Sequence, residues 1–145
     1  MSVEPGIVDA NVLVYAMDAG SSQHTAARAL LDAARSDPSA TLYVTSQILC
    51  EFYSVVTNSR RVMKPRSSAD AVRAISDLLA FLHVLPIPAR AVEGWLSLLR
   101  RHPVVGGDVF DLQIAASMLA NGVRRIYTFN AEDFSAFPEL VVELP

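Results

Sequence analysis

The sequence holds a single cysteine, Cys50, and no apolar run that reaches the roughly 18 residues of a membrane-spanning helix. One cysteine excludes an internal disulfide and is compatible with a reducing cytosol. The first residues lack a basic stretch followed by an apolar one, which argues against a secretory signal. These absences predict a cytoplasmic protein that does not use a membrane.

An excess of basic residues is also missing, because 15 acids face 12 bases and the net charge is −3. Taken alone, this balance argues against a nucleic-acid partner. The objection weakens if the acids cluster, since setting aside four candidate site acids leaves 11 acids against the 12 bases. Metal ions held by such a cluster would neutralise the negative field that an approaching phosphate meets. Composition therefore leaves the partner open.

The 145 residues contain no internal repeat and no low-complexity tract, which predicts one domain over 1–145. Short apolar runs predict buried strands, and longer stretches with helical spacing predict helices. The predicted strands are 6–8, 42–44, 84–85, 125–127 and 140–142. The predicted helices are 24–34, 46–58, 68–82, 89–101 and 109–121, the last of them stopped by Asn121-Gly122.

Strands that alternate with helices predict an α/β fold, in which right-handed crossovers cover both faces of a parallel sheet. In such sheets the functional groups gather beyond the C-terminal ends of the strands. Acidic residues that directly follow strands are therefore expected to be neighbours in space although they are far apart in the sequence.

Two acids in the first half of the chain are candidates for such a site. Asp9 directly follows Ile7-Val8, where it either serves the site or caps a short helix that starts near Asn11. Glu51 lies in a helix that is apolar nearly all round, which predicts a buried position. An unpaired buried charge is costly, so Glu51 is expected to have a partner or a metal, unless it snorkels or forms a salt bridge.

Two pairs of polar residues in the second half of the chain are further candidates. Asp108 and Asp111 are predicted to lie near one side of the first turn of a helix, where the macrodipole favours negative charge. Their spacing also fits a capping box, which would need no function. Asn130 and Asp133, after the strand at 125–127, have the same spacing and the same two interpretations.

Each of these positions is a weak signal alone, but together they could converge on one point. Carboxylate and amide oxygens suit Mg²⁺ or Mn²⁺, which prefer octahedral oxygen coordination. Zinc is poorly supported, because the three histidines are far apart in the sequence and Cys50 stands alone. The pattern therefore predicts a site for one or two hard divalent cations.

Four blocks of the sequence together resemble the PIN-domain proteins, and more narrowly the VapC-type toxins of toxin–antitoxin pairs. The blocks are 7–13, the helix around Glu51, 109–116 and 127–134, and they occur in the order and spacing of that family over essentially the whole chain. The resemblance implies a three-layer α/β/α fold with a central, mostly parallel sheet of about five strands.

The resemblance also implies a metal-dependent endoribonuclease that cuts cellular RNA (transfer, ribosomal or messenger), a homodimer, and an antitoxin that blocks the site. Asp9, Glu51 and Asp111 match the family's three most regular acids and are the implied catalytic and metal-binding residues. The family often has a fourth aspartate shortly after the threonine of the late strand, where this chain has Asn130. Asp108 or Asp133 would then supply the missing charge.

The expected reaction is in-line attack of a metal-activated water on a phosphodiester, which leaves 5′-phosphate and 3′-hydroxyl ends as the resemblance implies. A serine or cysteine nucleophile has no support, because no histidine accompanies Cys50, and no glycine-rich phosphate loop is present. Four cations in a predicted loop after the Glu51 helix are either RNA contacts or an ordinary solvated turn. They are Arg60, Arg61, Lys64 and Arg66.

Two other classes of protein stay open at this point. A phosphoryl-transfer or receiver-like protein would be phosphorylated on Asp9, but the dehalogenase pattern wants a second aspartate where Asn11 stands. A receiver would also want a late strand that ends in a lysine, whereas Thr128 is followed by Phe129. A catalytically inactive member of the fold would bind RNA or protein; the retained acids argue against it, and metal binding would discriminate.

Overall fold

Five short strands form the sheet of the computed structural model, which describes residues 2–145. They are β1 (Gly6–Val8), β2 (Leu42–Thr45), β3 (His83–Leu85), β4 (Arg125–Tyr127) and β5 (Val141–Glu143). Every neighbouring pair is parallel, and the order across the sheet is β3-β2-β1-β4-β5. The first strand therefore lies at the centre, directly beside the fourth, and the candidate acids that follow these two strands become neighbours.

Within residues 2–145, six α-helices connect the strands. They are α1 (Ala10–Ala16), α2 (His24–Ser36), α3 (Ser46–Val56), α4 (Ser68–Leu79), α5 (Ala91–Arg101) and α6 (Val109–Ala120). Two 3-10 turns, Gly106–Asp108 and Ala131–Asp133, precede α6 and follow β4. The predicted α/β fold is confirmed, and each predicted strand and helix is found with its ends within three residues of the expected positions.

The short helix that was predicted to start near Asn11, with Asp9 as its possible cap, is present as α1. Asp9 is its N-cap, and its Oδ1 atom accepts a hydrogen bond from the backbone N–H of Ala10 at 2.7 Å. At the other end of the chain, α6 stops at Asn121 as predicted, because Gly122 takes a positive φ of 70° that other residues adopt only at a cost. Asp9 thus links β1 to the start of α1, and Gly122 lies in the short connection from the end of α6 to β4.

The core is built mainly from the central strands and the helices that pack on them. Ile7, Val8 and Ile126 in the two middle strands are completely buried, as are Phe52 of α3 and Met118 of α6. Full burial of such side chains contributes roughly 1.5–3 kcal/mol each relative to exposure. This apolar support fixes the strand ends from which the candidate site is built.

The prediction that all five strands are buried is wrong for the two edges of the sheet. Val84 of β3 is 53% exposed, and Val141 of β5 is also exposed. Each of these strands has a neighbour on one side only, so its apolar residues are not covered as those of the central strands are. These edge strands are as apolar as the core strands, but their side chains are more exposed to solvent.

The prediction that the Glu51 helix is buried, drawn from its apolar composition, is wrong for part of its surface. In α3 only the face formed by Ile48, Phe52 and Val56 is fully buried, whereas Cys50 on another face is exposed. Glu51 lies between these faces and is half-buried. In the part of the chain that the structure describes, no helix has the length and apolar character needed to cross a membrane.

Candidate active site

A cavity of about 430 Å³ brings together acids from four separate parts of the chain. Asp9 reaches it from the end of β1, Glu51 from α3, Asp111 from the first turn of α6, and Asp133 from the 3-10 turn after β4. The amide residue Asn130 lines the same cavity. The convergence expected from the sheet topology is thus present for these five residues.

Asp9 is the most firmly held of the acids, with 7% of its surface exposed. Its Oδ1 atom caps α1, and its Oδ2 atom accepts hydrogen bonds from the Thr128 hydroxyl at 2.9 Å and the Asn11 amide at 3.2 Å. Burial raises the pKa of Asp9 above its ordinary value, while these three hydrogen bonds act against that rise because they favour the carboxylate.

Thr128 and Asn11 extend this hydrogen bonding into a network that joins the ends of β1 and β4. The Thr128 hydroxyl accepts from the Asn11 amide at 3.1 Å and from the backbone N–H of Asn130 at 3.0 Å. Asn11 in turn accepts from the backbone N–H of Phe129 at 3.1 Å. The part that Asn11 and Thr128 play in holding Asp9 was not predicted from the sequence. Their positions, two residues after Asp9 and directly after β4, were the features that could have indicated it.

Glu51 is held by one neighbour, the Gln47 side chain one turn earlier in α3. The Gln47 amide donates to Glu51 Oε1 at 3.0 Å and to the backbone carbonyl of Phe110 at 3.2 Å, so it links α3 to the start of α6. Its own Oε1 atom is buried and has no hydrogen-bond partner in residues 2–145. The salt bridge considered for Glu51 is not formed in that part of the chain.

The pKa of Glu51 is raised, first by burial and then by the negative charge of Asp9, although the Gln47 hydrogen bond opposes this. Asp111 is perturbed much further. Burial, together with the negative charges of Asp133, Asp9 and Glu51, raises the pKa of Asp111 to about 7. Four carboxylates, those of Asp9, Glu51, Asp111 and Asp133, are therefore held where their negative charges repel one another.

Asp108 lies outside this cavity. It is exposed at the N-terminus of α6, and its side chain makes no capping hydrogen bond, so the capping box proposed for Asp108 and Asp111 is not formed. Its charge still contributes to the raised pKa of Asp111. The side chain of Asn130 likewise makes no capping hydrogen bond, so the predicted cap at Asn130 and Asp133 is not formed. Both residues line the cavity.

The four predicted RNA-contact cations lie on the loop that follows α3, but only one of them reaches the acids. Arg61 lines the cavity, whereas Arg60 and Lys64 are exposed outside it. Arg66 is partly buried and donates to the backbone carbonyl of Met17 at 3.4 Å, which ties the loop to the end of α1. The cavity wall therefore presents one guanidinium against five carboxylates, since Asp18 lines it as well.

The donor set of the cavity consists of oxygen atoms, with neither histidine nor cysteine among the described residues that line it. Within residues 2–145, no three acids lie close enough together to form a closed metal-binding cluster. Their separation is consistent with the repulsion between like charges. Carboxylate oxygens with unbalanced charge suit Mg²⁺ or Mn²⁺ better than zinc, whose sites in proteins are usually built with cysteine or histidine. The residues present thus suit a hard divalent cation.

Sequence comparison relates this chain to known nucleases. The family model for the PIN domain matches residues 6–140. Ribonuclease VapC43 of Mycobacterium tuberculosis is 35% identical over 120 residues, which is 79% of this chain and 78% of that protein. A VapC ribonuclease of Mycobacterium bovis matches to the same extent.

Solved structures share the fold. VapC20 of Mycobacterium tuberculosis, a toxin that cleaves the sarcin-ricin loop, superposes with a TM-score of 0.71 at 21% identity, covering 98% of this chain and 100% of that one. The VapBC2 complex of Rickettsia felis, bound to DNA from its promoter, gives a TM-score of 0.69 at 20% identity, covering 98% of this chain and 99% of the other.

Proposed function

Because the chain belongs to the PIN domain family, and within it to the VapC toxins, we propose that it is a metal-dependent endoribonuclease toxin of a type II toxin–antitoxin system. Its substrate would be cellular RNA of the transfer, ribosomal or messenger class. The observation that carries this proposal is the cavity in which Asp9, Glu51 and Asp111 meet from distant parts of the chain with no equal number of cations to balance them.

The metal would be held by Asp9, Glu51 and Asp111, with Asn130 and Asp133 as the further oxygen donors that line the cavity. When bound there, a divalent cation supplies Lewis-acid activation of water and neutralises charge on the scissile phosphate. Asp9 is the fixed member of the set, because its network with Thr128 and Asn11 sets the direction of the carboxylate.

Other residues around the cavity are proposed to orient its carboxylates or to interact with the phosphate through their charge. Gln47 holds the Glu51 carboxylate toward the cavity through its hydrogen bond at 3.0 Å. Arg61, the one cation among the described residues of the cavity wall, is positioned to meet a phosphate that approaches the acids. Asp108 lies outside the cavity and is proposed to act only through its charge.

The proposal includes two protein partners. The related complex from Rickettsia felis contains a toxin with its antitoxin, which supports an antitoxin partner for this chain. A second copy of the chain, as the family resemblance implies, would complete a homodimer. Size-exclusion chromatography with light scattering, with and without a co-expressed candidate antitoxin, measures both associations.

The direct test is to incubate the purified protein, freed of any antitoxin, with total cellular RNA in Mg²⁺ or Mn²⁺ and to sequence the new 5′ ends. Cleavage at discrete sites is expected, and EDTA should abolish it. Asp111→Asn should reduce the rate by at least about 100-fold, because one carboxylate of the metal site is lost. Asp77→Asn is the matched control, since Asp77 is an exposed acid on α4, and it should cut RNA normally.

Equal cleavage by Asp111→Asn and the control would contradict the proposed roles of the acids. Absence of cleavage, together with absence of Mn²⁺ binding in a titration followed by electron paramagnetic resonance, would contradict the nuclease and favour a binding module of the same fold. Cleavage that persists in EDTA would contradict the dependence on metal.

A further inference from the structure

A second cavity, which we call the side groove, lies next to the candidate active site. It has a volume of about 480 Å³ and is formed between the end of α1 and the loop 57–67 that follows α3. Both cavities are lined by Val14, Asp18, Arg61 and Val62. A ligand that lies across the carboxylates can therefore continue directly into the side groove.

The wall of the side groove is partly apolar. Val14, Met17 and Val56 line it, and Met63, whose side chain is 100% exposed, stands at its rim. The flexible, polarisable thioethers of methionine make favourable contacts with aromatic rings. A cavity of this size, with apolar lining and a few polar groups, falls in the range of sites for small organic groups, and a nucleobase is such a group.

The charges of the side groove favour an anion. Arg61 and Lys64 line it, and neither forms an ion pair within residues 2–145. Asp18 is the one acid of the lining, and its Oδ1 atom already accepts the backbone N–H of Gly20 at 3.2 Å. A phosphate group that follows an apolar base would thus find two uncommitted cations.

The loop that forms one wall is preformed. The backbone N–H of Arg66 donates to the carbonyl of Val56 at 2.8 Å, and its guanidinium reaches the carbonyl of Met17. Asn58 starts the loop by accepting the backbone N–H of Arg60 on its side chain at 2.9 Å. Because these bonds already order the wall, a ligand would not have to supply the free energy of ordering it.

We propose that the side groove binds one unstacked nucleotide of the RNA, immediately next to the phosphate that is held at the carboxylates. The base lies against Met17 and Met63, and its phosphate meets Arg61 and Lys64. The inference rests on the proposed ribonuclease function and makes it more specific. The cleaved phosphate must lie in unpaired RNA, because a base that stays stacked in a duplex cannot enter the groove.

The test measures RNA binding in the Asp111→Asn background, so that the substrate is not consumed. Fluorescence anisotropy follows a labelled, unstructured RNA of about ten nucleotides, with a fully paired duplex of the same strand as the second ligand. The groove variants are Met63→Glu and Lys64→Ala. Leu144→Glu places the same carboxylate on another exposed apolar side chain and is the matched control.

Met63→Glu is expected to weaken binding of the unstructured RNA about tenfold, because it replaces the base contact with a negative charge. Lys64→Ala should weaken it about fivefold and reduce the slope of affinity against salt concentration by about one. The control should bind like the parent, and the duplex should bind more weakly than the single strand.

Groove variants that bind RNA as well as the control would overturn the side-groove proposal, whereas discrete, metal-dependent cleavage by the wild-type protein would still uphold the nuclease. Unchanged RNA binding with weakened capture of the antitoxin would assign the groove to the protein partner and overturn the proposal too. Loss of RNA binding in every form, together with no cleavage by the wild type, would overturn the proposed function itself.

Discussion

The two sides of the acidic cavity are built differently. On the strand side, Asp9 is almost fully buried and both of its oxygens accept hydrogen bonds, three in all. On the helix side, Glu51 and Asp111 are half-buried and Glu51 has one side-chain partner. Burial and the neighbouring negative charges raise the pKa of Asp111 to about 7. On the strand side three hydrogen bonds offset part of the cost of burying Asp9, whose pKa is still raised, whereas the helix side has fewer such bonds for its charges.

This difference separates two tasks that carboxylates of one site can have. A carboxylate that is fully hydrogen-bonded has a fixed direction and contributes to the stability of the fold. A carboxylate that is desolvated and repelled by its neighbours lowers the stability until a cation arrives. We therefore expect substitutions on the two sides to change stability in opposite directions, although both reduce the proposed activity.

Thr128→Val should give the largest change, a loss of about 2 kcal/mol in the free energy of unfolding. Valine has nearly the shape of threonine but leaves Asp9 Oδ2 without its shortest hydrogen bond, and leaves two N–H donors unpaired. Chemical denaturation measures the loss. Thr128→Ser keeps the hydroxyl and should lose less than half as much; an equal loss would mean that packing, not the network, is responsible.

Asp111→Asn should change stability in the opposite direction, by a gain of about 1 kcal/mol at pH 8 after allowance for solvent screening of a half-buried group. The substitution removes a carboxylate that is desolvated and repelled by Asp133, Asp9 and Glu51. Thermal denaturation without divalent cations measures the gain, with Asp77→Asn as the control. A clear loss of stability would show that Asp111 is held by favourable contacts.

The dependence of stability on pH should sharpen the contrast. Asp111 has a pKa of about 7 in the folded chain against 3.8 ordinarily, so the folded state binds its proton more tightly than the unfolded state does. Stability must then fall as the pH rises from about 4 to about 7, by roughly 1 kcal/mol after screening. Urea denaturation across this range should give a flatter profile for Asp111→Asn; parallel profiles would contradict the assignment.

Gln47→Ala should have the smallest effect on stability, less than about 0.5 kcal/mol, because it removes an unpartnered buried oxygen together with the hydrogen bonds of the amide. Its effect should appear in metal binding, since Glu51 is no longer held toward the cavity. Calorimetric titration with Mn²⁺ should show affinity weakened about threefold to tenfold. Ser46→Ala, an exposed neighbour in α3, should leave it unchanged.

Much of the fold could be predicted because the spacing of apolar residues along each segment agrees with the strand or helix that the segment forms in the structure. The first strand and the fourth were found with the expected bounds, since each of these short runs is followed at once by a polar residue, Asp9 or Thr128. The helix 68–82 was predicted three residues too long, because Leu82 continues the apolar spacing although the chain has already left α4 for β3. The edge strands could not be told from core strands, since exposure depends on neighbours and not on composition.

In the candidate site, too, some residues could be predicted from the sequence and others could not. Asp9 and Asp111 could be placed because topology alone brings the end of β1 and the head of α6 to one edge of the sheet. Thr128 and Gln47 could not, because their roles depend on side-chain directions and on partners such as Asp9, 119 residues away from Thr128. Sequence spacing carries no information about contacts of that kind.

The hydrogen bond between Thr128 and Asp9 also has a consequence for synthesis. Its two residues are 119 positions apart, and β1 pairs with β4 directly, so the centre of the sheet cannot close until most of the chain is available. Contacts of such separation form late and slow folding. On the ribosome, a nascent chain that ends before residue 128 would hold Asp9 without its hydrogen bond from Thr128, and the complete site would first appear after that residue has been added.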